Sequence, residues 1–112
     1  MKISQTNNGP VTILKLEGHL DSTTSSTLQA QLLPLMEAAS ARVAVDMTAV
    51  EYVSSAGLRI VLMAAKKAQT SGARIAIFGL SNPVRETFEI SGFSRLISIV
   101  ETEVDALKAL TA

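Results

Sequence analysis

Apolar residues along the chain switch between a period of two and a period near four, and the switches divide it into nine elements. The runs MKISQT and VTILKLEG are β-prone and are separated by NNGP. Asn-Gly tolerates the positive φ of a tight turn and Pro10 ends the first pairing, so a hairpin is predicted. In GHLDSTTSSTLQAQLLPLMEAAS, Leu28, Leu32, Leu35 and Met36 recur at helical spacing. Asp21, Ser22 or a neighbouring Thr is expected to cap this helix, and Pro34 to kink or divide it. RVAVDMTAV alternates Val43, Val45 and Met47 as a strand does. A helix follows with Leu58, Val61, Leu62, Ala65 and Ala68 on one face, and Gly72 is placed to end it. ARIAIFGL reads as a buried strand. In SNPVRETFEISG, Ser81 or Asn82 caps a helix, Pro83 suits its first position and Gly92 stops it. LISIV is a short last strand, and TEVDALKAL opens on a Thr102-x-x-Asp105 capping-box pattern with Val104, Leu107 and Leu110 at helical spacing.

The order β, β, α, β, α, β, α, β, α predicts an α/β domain. Its sheet is mixed and mostly parallel, with an initial hairpin and about four covering helices. No repeat or linker interrupts residues 1–112, so one domain is expected. The first two strands and four helices are expected to leave few exposed sheet edges, as in a monomer.

Composition narrows the function. With 47% hydrophobic and 18% charged residues the chain is globular, and with 4% aromatics and no Trp its core must be aliphatic. Ten basic and ten acidic residues cancel without a basic stripe, which argues against nucleic acid as a partner. The absence of Cys removes disulfides and thiolate chemistry. The N-terminus lacks a signal-peptide pattern and no run of about 18 apolar residues occurs, so a cytoplasmic protein without membrane insertion is expected.

Catalysis has little to build on. His19 is the single histidine, and a set of Ser55, His19 and Asp21 lacks the G-x-S-x-G setting of a nucleophile elbow. The scattered glycines form no phosphate loop, and Glu17, Asp21, Asp46 and Glu51 lack metal-loop spacing. No cofactor and no enzyme activity are expected. Ser54 and Ser55 fall where a strand hands over to a helix, at the carboxyl edge of the sheet where ligands are met. One hydroxyl suffices to cap the helix. The second is free to accept a phosphoryl group, whose charge of about −1.5 to −2 would alter the surface while the fold stays intact.

Three motifs in order, LEGHLDSTT, VAVDMTAVEYVSSAGLRIVL and GARIAIFGLSNPVRETFEISGF, make the chain resemble the STAS-domain family, specifically the bacterial anti-sigma factor antagonists. The resemblance spans essentially the whole chain and implies a STAS-like fold. It also implies that the unphosphorylated antagonist binds an anti-sigma factor with GHKL-type serine kinase activity. Phosphorylation by that kinase then ends the binding, and a PP2C-type phosphatase restores it. By resemblance Asp21 matches the family's loop aspartate, and Gly57 and Leu58 match the Gly-Leu that opens the second helix. The commonest family form, Asp-Ser-Ser-Gly-Leu, places the acceptor serine immediately before Gly. Here Ala56 holds that position and Ser54 holds the usual Asp position. The acceptor is therefore expected at Ser55, with Ser54 the alternative. The partner surface is expected over Asp21, Ser54, Ser55, Ala56, Gly57, Leu58 and Arg59. A non-catalytic STAS subunit of a membrane transport or signalling complex is the alternative function.

Overall fold

A computed structural model describes residues 1–90, 92 and 97–111. Strands β1 (Lys2–Asn8), β2 (Val11–Leu20), β3 (Arg42–Val53), β4 (Arg74–Phe78) and β5 (Ser98–Val100) form one sheet in the order β1-β2-β3-β4-β5. β1 and β2 pair antiparallel and the remaining neighbours pair parallel. Helices α1 (Ser25–Leu32), α2 (Ser55–Ser71), α3 (Asn82–Ile90) and α4 (Glu103–Thr111) complete the fold. Leu96, expected in the last strand, lies outside the described residues.

Successive crossovers that step in one direction with one hand place their helices on the same face of a sheet. Accordingly α1, α2 and α3 cover the face of Leu14, Leu16, Val43, Val45, Met47 and Ile77. The C-terminal α4 covers the other face, where Val11, Ile13, Ala44, Ala76 and Phe78 meet Ala106 and Leu110. β3 and β4 are thus buried on both sides, and the alternation of Val43 and Val45 with Ala44 sorts large residues to one face and small ones to the other.

The hairpin is tighter than NNGP implies: Asn8 pairs with Val11, leaving Gly9 and Pro10 as the loop. Gly9 carries φ 61°, the positive value that a two-residue hairpin turn requires at its first position. Pro34 does divide its helix, since α1 ends at Leu32 and a 3-10 turn, Leu33–Met36, follows with Pro near its start. α2 ends at Gly72, whose N–H donates to the Ala68 carbonyl. Thr102 Oγ1 accepts the Asp105 N–H and so caps α4.

Four expectations are corrected. The buried face of α2 is centred on Ile60, Val61, Ala64, Ala65 and Ala68, so Leu58 and Leu62 lie at its half-buried margin. Val104 faces solvent, because Ala106 and Leu110 set the buried side of α4. β3 runs on past Val50 through Glu51, Tyr52 and Val53. Finally, the sheet has an open edge: β1 is an exposed edge strand whose Lys2, Gln5, Thr6, Asn7 and Asn8 are solvent-facing and polar, a composition that discourages edge-to-edge pairing.

Candidate functional site

β2 and β3 end side by side, with Leu20 in register with Val53. The chain leaving β3 is then fixed to the end of β2, because the Ser54 N–H donates to the Leu20 carbonyl at 2.8 Å. Ser54 is extended (φ −83°, ψ 171°) and is the N-cap of α2, its Oγ accepting the Gly57 N–H at 3.2 Å. Its carbonyl accepts the Leu58 N–H at 2.9 Å, the first full helical bond. Gly57 is buried against β2. A Cβ built there would stand 2.5 Å from Leu20 Cγ and 2.9 Å from the Leu20 carbonyl oxygen. The missing side chain, rather than any special φ, is what lets α2 start this close to the β2 terminus.

The two serines therefore differ. Ser54 is half-buried and engaged in the cap, whereas Ser55 is exposed at the first position of α2 and its hydroxyl bonds nothing among the described residues. Ala56 and Leu58 are half-buried, and Arg59 is exposed one turn along from Ser55. Replacing Ser54 by Ala should lower stability by about 1 kcal/mol through loss of the cap, measured by urea unfolding, while leaving Ser55 accessible.

Asp21 follows Leu20 directly and organises the loop in front of α1. The N-cap of α1 is Thr24, which makes no side-chain cap bond of its own. Asp21 Oδ1 instead accepts the Thr23 hydroxyl at 2.6 Å and the N–H groups of Thr23 and Thr24 at 2.9 and 3.2 Å. Thr24 closes the turn, its Oγ1 donating to the His19 carbonyl at 2.8 Å and accepting the Asp21 N–H at 2.9 Å. The Thr23 hydroxyl and these backbone donors stabilise the carboxylate and hold the Asp21 pKa below its ordinary value. A carboxyl with a lowered folded pKa contributes stability above its unfolded pKa, and the contribution disappears as pH falls through the folded one. The stability gap between the wild type and Asp21→Ala should therefore be widest at neutral pH and close in strong acid, as read by thermal melts across that range. A gap that widened on acidification would refute the assignment.

The structure adds Tyr52, which the sequence pattern did not single out, and brings His19 and Glu51 beside it. Between Gly18 and His19 the β2–β3 register shifts, Gly18 facing Val50 and His19 facing Tyr52, so that Glu51 is the extra residue. Such irregularities re-aim side chains. Glu51 Oε2 lies 3.2 Å from His19 Nε2, and the His19 ring meets Tyr52 edge-on with centroids 6.2 Å apart. Tyr52, the single tyrosine of the chain, is 53% exposed. The signal was present in VEYV, where two adjacent residues at a strand end break the alternation. His19 is thus engaged with Glu51 rather than with either serine, and the arrangement offers no base to Ser55 among the described residues. No helix among the described residues is long and apolar enough to cross a membrane.

A helix start, an aspartate-bound turn and an exposed tyrosine thus stand at the carboxyl ends of β2 and β3. A family model described as "Mlab, STAS domain" matches residues 3–101, and the chain belongs to the STAS-domain family. It is 32% identical over 109 residues to BtrV of Bordetella bronchiseptica, named as an anti-sigma factor antagonist, covering 97% of this chain and 94% of that one. The crystal structure of a Thermotoga maritima protein, likewise named as an anti-sigma factor antagonist, superposes with a TM-score of 0.90 at 15% identity, covering 98% of this chain and 95% of the other. The anti-sigma factor antagonist SpoIIAA in its unphosphorylated form superposes at 0.76 with 14% identity, covering 99% of both chains. Its phosphorylated form, described as a Bacillus cell fate determinant, superposes at 0.74 with 16% identity, covering 96% of this chain and 98% of that one.

Proposed function

We propose that this protein is an anti-sigma factor antagonist that works without catalysing a reaction. Its unphosphorylated form binds an anti-sigma factor that is also a GHKL-type serine kinase and so releases the sigma factor. Phosphorylation of Ser55 by that kinase ends the binding, and a PP2C-type phosphatase resets the protein. The observation that carries the reading is the division of labour at the start of α2: Ser54 is committed to the cap while Ser55 stands exposed, its hydroxyl unbonded among the described residues. The names of the relatives support the partner class, and the existence of SpoIIAA in two phosphorylation states supports a covalent switch on this fold.

The surface that meets the partner comprises the Asp21 turn, Ser54 to Arg59 and the neighbouring Tyr52. A phosphate on Ser55 lies at the positive end of the α2 dipole and is tolerated by the folded domain. In the complex the same charge must be desolvated or must face the partner's own groups, which can cost several kcal/mol. ATP and Mg²⁺ belong to the kinase, so this chain needs no nucleotide loop.

The test is tandem mass spectrometry after incubation with the purified anti-sigma factor kinase and ATP. Phosphate on Ser55 is the expected result. Phosphate on Ser54 would mean that the cap opens to present its hydroxyl, and phosphate only elsewhere would remove the switch from this site. No phosphate, together with stable co-purification with a transport ATPase, would establish the non-catalytic subunit function instead.

A further inference from the structure

We infer that the outward face of α2 is a second docking surface, which seats an acidic amphipathic segment of the same anti-sigma factor. This rests on the function proposed above and extends the interface well beyond Ser55. Ser55, Arg59, Met63, Lys66 and Thr70 follow one another at intervals of four, four, three and four residues and are all exposed, so they form one stripe along the helix. At the rise of an α-helix the stripe is about 22 Å long. A kinase placed over Ser55 already lies at its head.

Halfway along, the stripe opens into a groove of about 450 Å³ between α2 and the 3-10 turn, lined by Leu33, Glu37, Met63, Lys66, Lys67 and Thr70. Its floor is apolar. Leu33 is half-buried against the core, and Met63, at 37% exposure, supplies a flexible side chain able to adapt to what enters. The Thr70 hydroxyl is turned back onto the Lys67 carbonyl at 2.9 Å and so leaves the groove to the apolar groups and the charges.

Charge identifies the occupant. Arg59, Lys66 and Lys67 make no ion pair among the described residues. The adjoining α1, SSTLQAQL, carries no charge to offset them, and among the described residues Glu37 is the single acid lining the groove. A chain with no net charge therefore presents a locally positive face around an apolar cleft. A segment with one or two large apolar side chains flanked by Asp or Glu complements it, since complementary potentials set orientation and on-rate. A lipid surface is the poorer match: interfacial helices insert several large apolar residues, and here Met63 is the sole apolar member of the stripe.

The experiment compares the wild type with the double variant Lys66→Glu/Lys67→Glu and its conservative counterpart Lys66→Arg/Lys67→Arg. Binding to the purified anti-sigma factor kinase is measured by titration calorimetry at two salt concentrations, with circular dichroism to check folding. Charge reversal should weaken binding about tenfold or more and flatten its salt dependence, whereas the arginine pair should bind like the wild type. A photo-crosslinking amino acid at Met63 should label an acidic stretch of the kinase. If the wild type binds and the reversed variant binds equally well, or if the crosslink maps to a segment without acidic residues, the second surface is refuted while the proposed function stands. Loss confined to binding of phosphatidylglycerol vesicles would assign the face to a membrane and also refute it. A wild-type chain that fails to bind the kinase overturns both.

Discussion

Gly57→Ala is expected to lower stability by about 2–3 kcal/mol, although at an open helix position the same change would gain close to 1 kcal/mol. The sign is decided by Leu20. An added methyl would stand 2.5 Å from its Cγ and 2.9 Å from its carbonyl oxygen. The leucine side chain is fully buried and has nowhere to go. The carbonyl is held in place by the Ser54 N–H at 2.8 Å, so the backbone resists as well. Relief requires α2 to lift at its N-terminus, which pulls Ser54 and Ser55 away from the end of β2. For a chain of this size the loss should appear as a fall of roughly 10 °C in Tm. Partner binding should fall further than stability accounts for, because the proposed recognition surface itself is displaced. An unchanged or raised Tm would show that the close approach of α2 to β2 is not needed.

Ser55→Asp should have the largest effect on binding and almost none on the fold. The substitution places a negative charge at the first position of α2, where the helix dipole favours it by some tenths of a kcal/mol. Ser55 is exposed and its hydroxyl makes no bond among the described residues, so the melting curve and circular dichroism spectrum should match the wild type. Affinity for the anti-sigma factor should drop on the order of 100-fold or more, the consequence of several kcal/mol of unfavourable desolvation or repulsion at the contact. Ser55→Ala should bind as the wild type does and resist phosphorylation. Titration calorimetry of the three proteins separates the cases. An Asp variant that binds normally would remove Ser55 from the interface, and one that unfolds would make it a structural residue.

These two positions divide the information between sequence and structure. Much of the fold was legible along the chain because its determinants are local. Val43, Val45 and Met47 alternate, Pro34 cannot continue a helix, Thr102 can cap one, and four helices interleaved with strands admit few topologies. The STAS-type motifs likewise marked Asp21 and the Ser54–Leu58 junction. Other features lie beyond a one-dimensional pattern. Periodicity alone put Leu58 and Leu62 on the buried face of α2, yet the helix is rotated so that Ile60 and Ala64 enter the core, because its orientation is set by packing against β4, α1 and the 3-10 turn. Which serine caps and which remains exposed also depended on tertiary contacts, since the Leu20 carbonyl fixes the entry to α2. Tyr52 and Glu51 joined the edge only through a register shift between two strands distant in sequence. The sequence by itself determined the elements, their order and the chemistry available at one junction. Only the tertiary structure decided which atoms of that junction face solvent, because exposure is a property of what packs alongside.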